Sequence, residues 1–430
     1  MELSNNFGWE LNPKLVFKRK KYKSLVENLD TDILVIGGGL TGLSSINQLR
    51  KYSFNNKITL VDSGRIGQGS SSRNSGFLVD STLNNGATSI TDIKKYKKKY
   101  ALNFAGMSAL KSLVNEYKID CDWYEAGKYH AASNESQFFK LKRFTYLLKK
   151  SEISFKEYYQ NDLYQILGTS FYRYAVKTKG GVLLNPQKLI QGLVLKILDN
   201  VNIFENTKII KIGIDNNPYA ITSNGLKIHA KKILVAVNSE MPDLNIMKNY
   251  TFPLILTSSI TRQLTQEECK TIGNPSPWGV LSVKPTGATV RFTNDNRIMI
   301  RNTSEPFLKS NKSFEHCIKK HREGFNKRFP NLKNVEFENS WTGNISVSRN
   351  GNPIFGDIKK KIFFAGGYNG GGLGLSTLFG AAMVDSSMKI ESDIFKIVNS
   401  YPQANLLPPL PKIAAFLRIK WDYLFGSNES

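Results

Sequence analysis

Gly37, Gly39 and Gly42 stand at the spacing G-x-G-x-x-G, after an aliphatic run over 33–36 and 20 residues before Asp62. In a strand–turn–helix unit this spacing suits a pyrophosphate. The first glycine makes the tight turn, the second lets phosphate approach bare backbone, and the third lets helix and strand pack closely. The phosphate charge then lies at a helix N-terminus, where amide N–H groups are free. Leu40 and Thr41, inside the turn, are expected contacts of the same group. The Asp62 carboxylate, with Ser63 beside it, can accept both hydroxyls of an adenosine ribose and would repel a 2′-phosphate. Glycines, strand, helix and acid in register predict a dinucleotide site.

Two further stretches carry donors for a charged ligand. Residues 64–76 read GRIGQGSSSRNSG. Ser70, Ser71, Ser72, Asn74, Ser75 and Gly76 offer hydroxyl, amide and backbone donors around a polyanion, and Arg73 supplies fixed charge. Near the other end, residues 366–374 hold six glycines, followed by a helical pattern at Leu375, Leu378, Phe379 and Ala382. A helix N-terminus behind a glycine-rich turn is an electropositive pocket made of backbone. Gly370, Gly371, Gly372, Leu373 and Gly374 are its candidates.

Alternating strands and helices must position these groups. Residues 33–36 and 57–61 read as strands around a helix with Leu43, Ile46 and Leu49 on one face. A helix is expected over 92–117, with Tyr96, Tyr100, Phe104, Met107, Leu110 and Leu113 as its apolar stripe. A turn into a short strand follows over 125–132, then a helix over 135–150 and an irregular aromatic stretch over 158–174. A helix over 187–198 precedes strand candidates at 202–208, 219–223 and 227–237. Further strands are expected at 255–264, 279–284, 289–293 and 297–301, with a hairpin turn over 293–296 and a helix over 314–329. A short strand over 362–365 precedes the last glycine cluster. Residues 1–31 read as a polar leader with Trp9, Phe17 and Tyr22 as anchors.

The strand, G-x-G-x-x-G, Asp62, and then G-x-G-x-S-x-R-N-x-G over 67–76, together resemble the amino-terminal half-site of the D-amino-acid oxidase-like FAD-dependent oxidoreductases. The resemblance extends from Thr31 to Ser400. It is nearest to gamma-glutamylputrescine oxidase-like and glycine or sarcosine oxidase-like members. It implies an α/β protein with a Rossmann-like FAD-binding domain of the glutathione-reductase-like kind and a discontinuous α+β cap domain. The FAD-binding domain is expected over 1–89, 176–244 and 334–400, the cap over 90–175 and 245–333, and a helical tail over 401–430.

By resemblance, the loop at 70–76 lies along the FAD pyrophosphate. The turn at 370–374 then faces N1 and the C2 oxygen of the flavin, with Gly371 and Gly372 taking part in catalysis by stabilising the reduced ring. The implied reaction is oxidation of the C–N bond of an amine or amino acid. Hydride passes from the α-carbon to flavin N5, the imine hydrolyses, and oxygen or another acceptor reoxidises the flavin. Lys284 is a candidate cation for oxygen reduction. Arg291, Arg297 and Arg301 are candidates for a substrate carboxylate, with solvent-exposed arginine the blander role of each. His130 is weighed between a substrate-facing role and a satisfied structural one.

The cysteine that sarcosine oxidases of this group place beside the flavin is absent, Cys317 lying in another segment, so FAD is expected to be non-covalent. Ser348, Arg349 and Asn350 stand where many relatives have threonine-proline-aspartate. Two rival activities use the same cofactor: a dehydrogenase passing electrons to a quinone or carrier, and an RNA-modifying flavoprotein.

The chain has 430 residues and a formal net charge of +24, with 40% hydrophobic residues. The lysines are scattered, 94–99 being the nearest thing to a block, so nucleic acid is a disfavoured partner. Cys121, Cys269 and Cys317, and the four histidines, are too dispersed for a disulfide framework or a metal site. With neither a signal peptide nor a run of 18 apolar residues, a cytoplasmic protein is expected. The tail carries prolines and then Ile413, Phe416, Leu417, Trp421 and Leu424 among basic residues. It is expected either to dock on its own domain or to touch a membrane or partner.

Overall fold

In the computed structural model, residues 8–9, 21–52, 56–81, 83, 93–284, 287–306 and 311–425 are described. Regular structure begins with β1 (Leu29–Ile36), α1 (Leu40–Lys51), β2 (Ile58–Val61), the single-turn α2 (Ser70–Arg73) and β3 (Phe77–Val79). The long α3 (Ile93–Glu116) leads to β4 (Lys128–Ala132), α4 (Glu135–Lys150), β5 (Phe155–Tyr159), α5 (Gln160–Leu167) and β6 (Tyr174–Thr178). Next come β7 (Gly181–Leu183), α6 (Pro186–Ile197), β8 (Asn202–Phe204), β9 (Ile209–Ile214), β10 (Pro218–Thr222) and β11 (Lys227–Val235). The chain continues through β12 (Thr251–Thr261), α7 (Gln266–Thr271), β13 (Trp278–Ser282), β14 (Thr289–Phe292), β15 (Ile298–Glu305), α8 (Asn311–Arg328) and β16 (Phe337–Ser348). It closes with β17 (Ile354–Ile358), β18 (Ile362–Gly366), α9 (Gly372–Met388), α10 (Asp393–Asn399) and α11 (Pro411–Phe425).

Two large sheets result. The first runs β17-β18-β11-β1-β2-β8, with β10 and β9 joined through β11. Its centre is parallel: Val35 pairs with Leu60 on one side and Leu234 on the other. Residues 33–36 are buried, as a strand covered on both faces requires, which explains their unbroken aliphatic character. α1 and α9 pack together across this sheet. The second sheet runs β16-β12-β15-β14-β13-β4-β6-β5 and carries its own core around Trp278, Phe292, Phe325 and Phe329.

Three features differ from the expected layout. β16, expected within the nucleotide domain that resumes at 334, pairs along β12 in the second sheet. α3, expected in the cap, contributes Leu102, Leu110 and Leu113 to the core under the first sheet. The aromatic stretch at 158–174 holds the end of β5, the helix α5 and the start of β6, so it is regular for most of its length. Of the expected leader anchors, Phe17 lies outside the described residues, whereas Trp9 is buried against Trp341.

Candidate functional site

The carboxyl ends of β1, β2 and β11 open on one cavity of about 540 Å³, which continues past α2 to the start of α9 and the second sheet. Gly37 leaves β1 with φ +103°, a left-handed conformation that suits glycine. A Cβ on Gly42 would lie 2.0 Å from the Gly37 carbonyl oxygen. The turn therefore closes only with glycine at that position. No side chain caps α1 at Gly39, so its first turn is open to an anion except at Leu40, whose N–H donates to Ser71 Oγ at 2.9 Å.

Asp62 sits at the end of β2. Its carboxylate accepts the Gly38 N–H at 2.7 Å and the Gly64 N–H at 2.9 Å. The acid thus shapes both turns besides facing the cavity. Ser63, Ser70, Ser71, Arg73, Asn74 and Ser75 also line the cavity. Arg73 donates to the carbonyls of Gln68 at 3.0 Å and Thr342 at 3.2 Å. Two indoles brace the same loop: Trp9 Nε1 donates to the Asn74 carbonyl and Trp341 Nε1 to the Arg73 carbonyl, both at 2.9 Å.

At the far end, α9 begins behind Gly371 with no side-chain cap. A Cβ on Gly372 would come no closer than 4.0 Å to any atom, at Tyr368, and one on Gly370 would meet nothing. These positions, with Gly371 and Leu373, border the cavity. Tyr368, buried, shares a 3.0 Å hydrogen bond with Thr41 and so links the two glycine turns.

The chain's similarities agree with this geometry. The family described as FAD dependent oxidoreductase matches residues 32–386. The chain belongs to that family. Gamma-glutamylputrescine oxidoreductase of Escherichia coli (strain K12) is 25% identical over 389 residues, 86% of each chain. Among solved structures, glycine oxidase from Geobacillus kaustophilus matches with a TM-score of 0.70 at 18% identity, over 85% of this chain and 96% of that one. L-proline dehydrogenase from P. horikoshii matches at 0.68 and 18%, over 86% and 96%. The expected resemblance and fold class are thereby borne out, and FAD is the cofactor of this oxidoreductase. The cavity suits it: open helix N-termini stand at both ends, and a side chain at Gly42 would abolish the first turn.

Several expected site residues lie outside the cavity. Gly42 and Ser72 support the turns from behind, Ser72 through its hydroxyl on the Gly67 carbonyl. Gly374 faces α3, where its Cβ would lie 3.0 Å from Gly106 carbon. Gly76, at φ +72°, is pressed against Arg291 Nη1 and the Leu184 carbonyl, either of which a Cβ would approach to 2.2 Å. Arg291 is neither exposed nor in the cavity. Its Nη1 donates to the Ser75 and Leu184 carbonyls at 2.9 Å each, and its guanidinium lies 4.9 Å from the Trp9 ring centre. Burial pushes it down to about 10. It clamps the end of the loop over 70–76 from behind. Arg297 is held by Asp295 at 2.9 Å and by Glu338.

Arg301 and Lys284 do reach the cavity, beside Thr289 and Ser282. Arg301 Nη2 donates to Thr289 Oγ1 at 2.8 Å, its direct partner across the β14–β15 ladder. His130 also lines it, fully buried and edge-on to Phe144. Neither of its ring nitrogens has a hydrogen-bond partner, and burial lowers it to about 3, so the imidazole is neutral at ordinary pH.

Sequence reasoning missed Lys99 and Asn103. They sit with Gly106 and Leu110 on the buried face of α3, and Phe104 of the expected stripe is 54% exposed. Lys99 Nζ donates to the Gly351 carbonyl at 3.0 Å. That carbonyl directly follows Ser348, Arg349 and Asn350, a stretch tied to Asn369: the Ser348 N–H donates to Asn369 Oδ1 at 2.8 Å. The signal available was the spacing of Lys99, Asn103 and Gly106 at four and three.

Proposed function

We propose that this oxidoreductase oxidises the C–N bond of an amine or amino acid with non-covalently held FAD. The observation that carries the reading is the single cavity joining the phosphate-binding turns, the open start of α9 and the cations of the second sheet. The proteins it resembles point the same way: by name, they act on gamma-glutamylputrescine, glycine and L-proline.

When bound, FAD would supply a hydride acceptor for the substrate's α-carbon and, once reduced, a two-electron donor to oxygen that yields peroxide. The chain's contribution is binding, charge and exclusion of water. Leu40, Thr41, Asp62 and the loop over 70–75 hold the ADP half. The Gly371 N–H is spent on the Tyr368 carbonyl at 2.9 Å, so it is the backbone amides from Gly372 onward, at the uncapped start of α9, that would stabilise negative charge on the ring edge. Arg301 offers a carboxylate a fork of donors, which fixes the substrate's orientation. Lys284, buried on the same wall, supplies positive charge for oxygen reduction. No side-chain base is required if the substrate amine reaches the site neutral, consistent with a His130 that does not take up a proton near neutral pH.

The test is aerobic turnover of purified protein against secondary amines, amino acids and polyamine conjugates, following peroxide and flavin bleaching together. Both signals with one substrate class are expected. Bleaching without peroxide would transfer the reading to a dehydrogenase, and neither signal with any amine would overturn it. Arg301→Met should raise KM for a carboxylate substrate far more than it lowers kcat.

A further inference from the structure

The outer face of α11 has no part in the flavin site. This helix lies against β15 with Ile419 buried and Ala415 and Phe416 half-buried. On the opposite side Leu410, Ile413, Leu417 and Trp421 are 68%, 47%, 61% and 56% exposed. Ile413, Leu417 and Trp421, spaced by four, form one row along the solvent side of a helix turning 100° per residue. Leu410, at φ +50°, immediately precedes the helix, and Leu406, 55% exposed, lies on the approach to it. The helix is thus apolar on two opposed faces, one against β15 and the other exposed to solvent. At the same angular step Arg418 falls on one flank of the outer row and Lys420 on the other, both exposed. Lys420 Nζ lies 4.8 Å from the Phe416 ring centre, its stem along the helix and its charge beside the row.

We infer that α11 seats the protein on an anionic lipid surface, lying in the interfacial plane with this row in the acyl boundary and Arg418 and Lys420 at the headgroups. An apolar row flanked by cations is the pattern of helices that lie in an interface rather than cross it. Among the described residues no helix is long and apolar enough to cross a membrane. Charge decides the occupant. A second copy would bring its own +24 against this one, whereas an anionic leaflet attracts each basic residue near its surface.

The experiment pellets the full-length, FAD-loaded protein with vesicles of phosphatidylcholine alone and of phosphatidylcholine with about a quarter phosphatidylglycerol. Binding to the anionic vesicles is expected to be at least ~10-fold tighter, and to weaken as salt rises. Leu417→Glu with Trp421→Glu should abolish it while flavin content and Tm stay at wild-type values. Should that variant fold poorly, Arg418→Glu with Lys420→Glu, both at exposed positions, should remove the anionic preference. Absence of wild-type binding to anionic vesicles would overturn the inference, as would binding that both variants retain. Light scattering supplies the remaining outcome: a wild-type dimer that Leu417→Glu dissociates, without vesicle binding, would assign the row to a second copy and sink the lipid assignment.

Discussion

Lys128 and Asp80 form an ion pair at 2.5 Å with 0% and 5% of their side chains exposed. The ammonium also donates to the Gly180 carbonyl at 2.6 Å and Ser81 Oγ at 3.0 Å. It therefore joins β4 of the second sheet to the ends of the paired β3 and β7. Removing one partner leaves the other charge buried alone, which costs about 3–5 kcal/mol, whereas removing both costs much less. Lys128→Met should lower unfolding stability by that amount, and Asp80→Leu added to it should recover most of the loss. Urea unfolding of wild type, Lys128→Met, Asp80→Leu and the double variant checks this. Additive losses would mean that the pair is not a coupled unit.

Asp62→Ala should weaken FAD binding by about 1.5–3 kcal/mol, the worth of a hydrogen bond to a charged group. On the proposed reading, in which the acid serves the ribose end, it should leave the rate of flavin reduction nearly unchanged at full occupancy. The two amides it holds, of Gly38 and Gly64, would also lose their acceptor. Titration of apoprotein with FAD, followed by stopped-flow reduction of the saturated variant, separates the effects. A hundredfold slower reduction would place Asp62 near the reacting atoms.

Gly372 and Gly374, two residues apart, should fail differently. Gly372 borders the cavity and a Cβ there has room, so Gly372→Ala should fold normally; with the start of α9 facing the flavin as proposed, it should also lower the flavin potential and slow reduction. A side chain at Gly374 meets Gly106 and Leu78, so Gly374→Ala should lower Tm without a specific change in potential. Potentiometry and thermal melts of both variants decide. An unchanged potential in folded, FAD-loaded Gly372→Ala would remove the flavin-facing role.

Lys99 gives a pH signature. Burial, with a smaller contribution from Lys95, lowers it to about 8 from its ordinary 10.5. Between those values the unfolded chain binds the extra proton, so stability should rise with pH from about 8 toward 10.5. Below about 8 the cost of the buried charge is fully present. Lys99→Met should flatten that rise in Tm. In the cavity the cation is present below about 8 and lost above it. KM for an anionic substrate should therefore climb through this range in wild type, much less in Lys99→Met, and only at higher pH in Lys99→Arg.

The parts of the site legible in sequence were those whose chemistry is local. Gly37, Gly39, Asp62, Ser70, Ser71, Arg73, Asn74 and Ser75 do border the cavity, while Gly42, Ser72 and Gly76 shape its turns from behind, because backbone conformation restricts which residues can stand in such turns. Strand pairing across insertions was not legible: nothing within 337–348 distinguishes a strand of the first sheet from one that follows β12. Nor was the orientation of α3. Its aromatic residues satisfied helical spacing, but close approach at Gly106 and Gly374 turned Lys99 and Asn103 inward and left Phe104 outside. Arg291 was misread for a related reason. A guanidinium that satisfies two carbonyls and covers an indole is a packing element, and its partners lie 216 and 107 residues away.

The order of the first sheet has a consequence in time. β1 lies between β2 and β11, and β11 lies beside β18, which leads into α9. A chain growing from its amino end makes the turns at 37–42 and 64–76 early, but Trp341, Tyr368 and the α9 amides follow only after β12 to β15 have been added. Contacts of such sequence separation form slowly, because a long loop must close before any is gained. A ribosome-stalled chain ending at residue 330 should carry the complete first motif and retain no flavin, making cofactor capture wait on the synthesis of α9.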